Sequence, residues 1–226
     1  MYSTDRTPNV IEFQQVDFAY GHKRLFVSLS FDLKRGQYLV ISGPARSGKS
    51  TLVQMIAGLV VPVVGKIMMD GDDLSQIARS RRKLSDWRRK IGGVGGIYSL
   101  LSDRSILENI ALTAELLGQR PRTARKSALE ACRRYHLTHV QSHRPDMVSE
   151  VERRAALLAR AEVARKDIIV ADAPTDGLDD QSARFIQERL AALHLAGASI
   201  LYFTSGTGPA SGPDKYLRLE EGQVLP

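Results

Sequence analysis

"GPARSGKS", residues 43–50, decides how the rest of the chain is read. It fits G-x-x-x-x-G-K-[ST], a loop whose glycines let successive backbone N–H groups curl around phosphate oxygens. Lys49 is then placed to reach the β and γ phosphates, and the Ser50 hydroxyl to ligate Mg2+. The context agrees. "QYLVIS", residues 37–42, is a short apolar strand before the loop. "STLVQMIAGL" after it has helical spacing, with Gly58 as a C-terminal cap. The following helix turns its N-terminus toward the same anion. Binding of a nucleoside triphosphate through Gly43, Pro44, Ala45, Arg46, Ser47, Gly48, Lys49, Ser50 and Thr51 is the strongest expectation the residues support.

Working outward, Val10 to Ala19 and "LFVSLSFDL" read as strands, the second ending at Lys34-Arg35-Gly36. "GKIMMDGDDL" reads as a strand and a turn followed by a strand or a helix. Residues 103–135 and 150–165 are rich in Ala, Leu, Glu, Arg and Lys, hence helical. "DIIVAD" and "SILYFT" are short buried strands flanking the helix "SARFIQERLAALHLAG". "KYLRLEEGQVL" reads as a hairpin around Glu221-Gly222. Strands and helices alternate, with a helical block in the middle, so the fold class is α/β with a helical insert. "DIIVADAPTDGLDD", residues 167–180, ends its apolar run in Asp172, a carboxylate suited to a nucleotide's magnesium ion. The next position, where a water-polarising acid is sought, is Ala173.

The chain has 226 residues, 43% of them hydrophobic, which suits one large domain. One cysteine, Cys132, excludes an intrachain disulfide and fits a reducing, cytosolic setting. The N-terminal "MYSTDRTPNVIEF" has no apolar core of signal-peptide type. No apolar stretch approaches the ~20 residues of a membrane span. The net charge is +7, concentrated at residues 78–90 and 119–126. These read as solvated faces or as contacts for an anionic partner. Acidic lipid is favoured over nucleic acid, because no aromatic residues interleave to stack bases.

Taken together, the chain resembles the nucleotide-binding subunits of ATP-binding-cassette (ABC) transporters over essentially its whole length. "LLSDRSILENIAL" is closest to the cell-division, lipoprotein-export and macrolide-export ATPases. The resemblance implies a P-loop NTPase core of ABC ATPase type, an N-terminal antiparallel β subdomain and a helical insert over roughly residues 97–160. It implies ATP and Mg2+ as cofactors, with Tyr20 stacking on adenine and Ser50 and Asp172 holding the metal. It implies a membrane permease as partner, docked near residues 97–110, and a second ATP-binding subunit or a second copy of the chain. The location implied is cytoplasmic, at the inner face of the plasma membrane. "VSEVERRAALLARA" lies where the family has its L-S-G-G-Q signature.

The departures are as specific. Gly96 stands where the family has a metal-binding glutamine. Glu150 and Val151 replace two signature glycines, adding a negative charge and a branched side chain where backbone meets phosphate. Ala173 replaces the catalytic glutamate and Ser205 a histidine that contacts the γ phosphate. Weak or absent hydrolysis follows as an expectation, with Asp176 or Asp179 as the candidates to stand in for the lost acid. The alternatives are an active ATPase, alone or in a heterodimer, and a scaffold that keeps only the fold.

Overall fold

A computed structural model describes residues 7–225. Residues 1–6, part of the N-terminal stretch read above for a signal peptide, lie outside the described residues. The chain opens with two long antiparallel strands, β1 (Asn9–Tyr20) and β2 (Lys23–Lys34), followed by β3 (Tyr38–Ser42) and α1 (Lys49–Ile56). Next come β4 (Val64–Met69), β5 (Asp72–Asp73), the short α2 (Leu74–Ile77), α3 (Arg81–Arg89) and β6 (Ile91–Gly95). Three helices follow, α4 (Ile106–Leu116), α5 (Pro121–Arg134) and α6 (Glu150–Val163). The chain ends with β7 (Ile168–Asp172), α7 (Asp180–Leu195), β8 (Ser199–Thr204), β9 (Lys215–Glu220) and β10 (Gln223–Leu225).

Two sheets result. One is antiparallel, in the order β2-β1-β4-β5; the other runs β10-β9-β3-β8-β7-β6 and is parallel except at β10. β7 and β8 are buried at every residue, and β3 at all but Ser42. That explains their unbroken apolar runs, since a parallel sheet is covered on both faces. The hydrophobic core divides in two. One part lies under α1 and the antiparallel sheet, the other among α4, α5, α6 and α7.

Register converts these strands into a site. Ser42 on β3 pairs with Thr204 on β8, Phe203 with Asp172 on β7, and Asp172 with Gly95 on β6. The loops leaving β3, β8, β7 and β6 therefore open at one edge, the carboxyl ends of parallel strands, where α/β proteins bind ligands.

β6 was not anticipated. "IGGVG" has three glycines in five residues, which carry no strand preference. The glycines are required by close approach: a Cβ on Gly92 would meet the Ala161 methyl at 2.7 Å, and one on Gly93 would fall within the Tyr98 ring. α3 was hidden for a different reason. Its basic residues read as a solvated face, yet Trp87 is buried and donates its indole N–H to the Ile56 carbonyl at 2.7 Å. Arg88 donates to the carbonyls of Ala57 and Gly58, closing the C-terminal end of α1.

Candidate nucleotide site

The loop between β3 and α1 is held from both sides. Gly43 N–H donates to Thr204 O at 3.1 Å, and a Cβ on Gly43 would lie 2.5 Å from Leu219 O. Gly48 has φ +109, and a Cβ there would press on the Phe26 ring at 2.7 Å. Glycine is required at both positions for steric reasons. α1 starts at Lys49 with no side-chain cap and no acid in its first turn. Its N–H groups and positive end are therefore left for an anion.

Lys49 is buried, and its ammonium donates to Gly43 O at 2.6 Å, Pro44 O at 2.8 Å and Ser47 Oγ at 3.3 Å. Burial lowers its pKa, while the carboxylates of Asp172 and Asp176 oppose that shift. Asp172 shows the converse: burial raises its carboxyl, Lys49 pulls it down and Asp176 pushes it up. The two groups thus favour each other's charged forms across the site.

A cavity of about 470 Å³ lies over this loop, and Lys49, Ser50, Thr51, Asp172, Ala173 and Ser205 line it. Tyr20, the last residue of β1, also borders it, half exposed, its hydroxyl 3.5 Å from Thr51 Oγ1 and 3.4 Å from Gln54 Oε1. The exposed Tyr20 ring offers a flat face at the mouth. A second cavity, about 510 Å³, adjoins the same edge and brings Ser50, Gly96 and Asp172 together with Glu150, Arg153 and Arg154.

The oxygen donors suit Mg2+. A hydroxyl and one carboxylate, at the phosphate end of the cavity, are the protein ligands such an ion typically takes beside water and phosphate. Gly96 adds nothing to them. Its φ is +53, and a Cβ there would collide with the Asp172 carboxylate. Gly96→Ala should therefore destabilise the fold by about 1–3 kcal/mol. At roughly 2–4 °C per kcal/mol for a chain of this size, calorimetry should read a drop in Tm of several degrees. An unchanged Tm would mean that Asp172 does not occupy that space.

Ala173 presents a methyl group at the junction of both cavities and has φ +49, a left-handed backbone in a residue that disfavours it. Its N–H donates to Phe203 O at 2.9 Å. Of the two acids considered as replacements, Asp179 is committed elsewhere: it caps α7, accepting from Ser182 N at 3.0 Å and Ser182 Oγ at 2.7 Å. Asp176 lines both cavities.

The start of α6 departs from expectation in detail. Ser149 is its N-cap in a reciprocal capping box: Glu152 Oε2 accepts from Ser149 N at 2.7 Å and Ser149 Oγ at 2.6 Å. Glu150 turns back on its own helix and accepts from Arg153 and Arg154, each at 2.8 Å. Burial raises its carboxyl, but those two hydrogen bonds outweigh burial and hold it below its ordinary value. The end of α6 is thus already filled by its own carboxylates. Val151 packs against the helical core instead of lining either cavity.

Arg154 was not singled out from sequence. It continues from Glu150 to Pro174 O and Asp176 O, both at 2.8 Å, and ties α6 to the loop after β7. The spacing of Glu150 to Arg153 and Arg154, three and four residues along a helix, was the available signal. Lys23 and Leu25, which also border the cavity, carried none.

A phosphate-type loop, a buried lysine and a carboxylate at the ends of a parallel sheet, flanked by an antiparallel sheet and a three-helix unit, define an ATP-binding cassette. The chain belongs to the ABC transporter family: the family profile matches residues 26–176. It is 30% identical over 198 residues to the macrolide export ATP-binding/permease protein MacB of Brucella melitensis, and likewise to that of Brucella abortus. These alignments cover 87% of this chain but only 30% of each relative. A dimeric ATP-binding cassette, MJ0796, solved after hydrolysis with ADP and Pi, superposes with a TM-score of 0.84 at 26% identity, covering 95% of this chain and 96% of the other. CbiO1 of Clostridium perfringens, part of the transporter complex cbiONQ, shares the fold, with a TM-score of 0.81 at 22% identity over 96% of this chain and 87% of its own. Among the described residues no helix is long and apolar enough to cross a membrane.

Proposed function

We propose that this chain is the ATP-binding part of a membrane transport complex and that it holds Mg–ATP while hydrolysing it slowly or not at all. The observation that carries this reading is the contrast within one cavity. Lys49, Ser50 and Asp172 converge on one end of it, while Ala173 brings a methyl, Ser205 only a neutral hydroxyl, and Gly96 in the adjoining cavity no side chain, so none of the three supplies a base. Hydrolysis of a phosphoanhydride depends on positioning and electrostatics. Bound Mg2+ supplies charge neutralisation of the β and γ phosphates. The Gly43–Thr51 backbone and Lys49 grip the phosphates, Lys49 exchanging its two carbonyl partners for charged oxygens, which are stronger acceptors. The Tyr20 ring covers the base.

A membrane subunit as partner is supported by MacB, whose name joins ATP-binding and permease functions. Peripheral attachment to the inner face of the plasma membrane follows from such a partner. A second copy is supported by the dimeric MJ0796. Closure by ATP alone is opposed by α6, because the cap Ser149 is engaged with Glu152 and two acids sit in the first turn. Light scattering with saturating Mg–ATP should therefore find the same mass as without nucleotide. ATP-dependent dimers that disappear on changing residues 149–152 would contradict this.

Asp176 favours a second reading, an active ATPase, because its position beside Asp172 and Ala173 offers another base. That reading requires Lys49-dependent phosphate release that Asp176→Asn abolishes.

A further inference from the structure

A cavity of about 570 Å³ lies apart from the nucleotide site, lined by α3 on one side and by α4 and α6 on the other. Arg81, Arg88, Arg89, Arg160 and Lys166 line it, and no carboxylate does. Arg88 donates to Ala57 O and Gly58 O, Arg160 to Ser99 O at 3.0 Å, and Lys166 to Arg89 O. Each keeps N–H groups to spare, since a guanidinium carries five and an ammonium three. Counter-charge is scarce. Among the described residues the only ion pair made by any of the five is that of Arg89 with Asp86, at 3.3 Å and exposed. Burial lowers the pKa of Arg160; burial and then repulsion from Arg160 and Arg89 lower that of Lys166, with Asp167 opposing. Arg89, Arg160 and Lys166 thus hold like charges together in a partly desolvated place, a cost that a bound anion relieves.

The backbone adds donors to the same cavity. Ile91, Gly92 and Gly93 of β6 line it, and β6 is the last strand of its sheet. The N–H groups on the outer edge of such a strand have no ladder partner. Two of these three residues carry no side chain to shield them. The Ser85 and Thr113 hydroxyls also border the space. The rims are apolar: Leu59 on one side and Leu116 and Leu117 on the other are all exposed.

We propose that this cavity binds a phosphate monoester that carries an apolar group. The dianion lies among Arg89, Arg160 and Lys166, with Arg81 beside it, and the apolar group lies against Leu59, Leu116 and Leu117. Two charges suit three crowded cations better than the single charge of a carboxylate, and guanidinium groups match phosphate oxygens in pairs. An unesterified phosphate leaves the three leucines in water. Because α3 and α6 both contribute cations, the ester ties the nucleotide core to the helical unit. A free phosphorylated metabolite and the headgroup of phosphatidic acid offer this same chemistry.

The test is titration calorimetry of the full chain with hexyl phosphate and with inorganic phosphate, at about pH 8, where both are doubly charged. Hexyl phosphate should bind about tenfold more tightly than inorganic phosphate, the gain expected from burying about two methylene groups. It should slow amide hydrogen exchange at residues 88–94 and 157–166. Arg81→Glu combined with Arg89→Glu, both at exposed positions, should weaken binding about tenfold or more. Arg120→Glu combined with Arg122→Glu, the same change of net charge away from the cavity, should leave it within about twofold, and so should Lys49→Ala in the nucleotide loop. Co-sedimentation with phosphatidylcholine vesicles, with and without phosphatidic acid, separates the two sources. Sedimentation that requires phosphatidic acid and is lost in the Arg81/Arg89 variant supports the site with a lipid as its ligand. Binding of hexyl phosphate without such sedimentation supports it with a free ester. No binding of either probe, protection confined to the loop at residues 43–51, loss of binding in Lys49→Ala, equal weakening by the two double reversals, or equal affinity for inorganic phosphate would each overturn the proposal.

Discussion

Lys49→Ala is expected to weaken binding of Mg–ATP about 10- to 100-fold, because each hydrogen bond from a charged donor contributes on the order of 1.5–3 kcal/mol. The lysine is buried at the phosphate end, its two nearest partners are loop carbonyls at 2.6 and 2.8 Å, and the next carboxylates are those of Asp172 and Asp176. Removing the ammonium leaves those two acids facing triphosphate without compensation. Titration calorimetry reads the loss directly. A wild-type chain that binds no ATP at millimolar concentration, or a Lys49→Ala chain that binds equally well, would show that the cavity is not a nucleotide site.

What was legible in the sequence follows from how strongly local chemistry constrains the backbone. The loop at residues 43–50 was legible because it stands between an apolar strand and a helix, with glycines where the fold leaves no room for a Cβ. β7 and β8 were legible from their apolar runs at residues 168–171 and 200–203, since burial on both faces favours apolar side chains. The closing hairpin was legible from Glu221 and Gly222, which both adopt positive φ, +48 and +77, in the turn. β6 was not, because its glycines make room for Ala161 and Tyr98, residues the chain brings near only when folded. α3 was misread for the same kind of reason: Trp87 and Arg88 are addressed to the end of α1, about thirty residues earlier. At the site, Gly96, Ala173 and Ser205 read from sequence as departures from the family, and the structure sets Ala173 and Ser205 at one cavity and Gly96 at the other. The self-filled start of α6 and the Arg154 bridge were not, since they depend on which way long charged side chains turn. Glu150 was expected to face phosphate, and its carboxylate is instead held by two arginines of its own helix.

Turnover is where the proposed lack of a positioned base has its largest expected effect. Loss of a positioned base typically lowers a rate by about 10²–10⁴, and the further losses at Gly96 and Ser205 add to this less than in proportion. Restoring one group, as in Ala173→Glu, should recover little, because Ser205 and Gly96 would remain without the charge or amide that the family resemblance expects there. The most direct measurement is phosphate release at saturating Mg–ATP by the wild-type chain and by Lys49→Ala, side by side. With ordinary enzymes turning over at about 1 s⁻¹ or faster, the wild-type chain should fall below about 10⁻² s⁻¹ and be indistinguishable from Lys49→Ala, while still binding ATP by calorimetry. Release near 1 s⁻¹ that disappears in Lys49→Ala would contradict a chain that holds ATP without hydrolysing it.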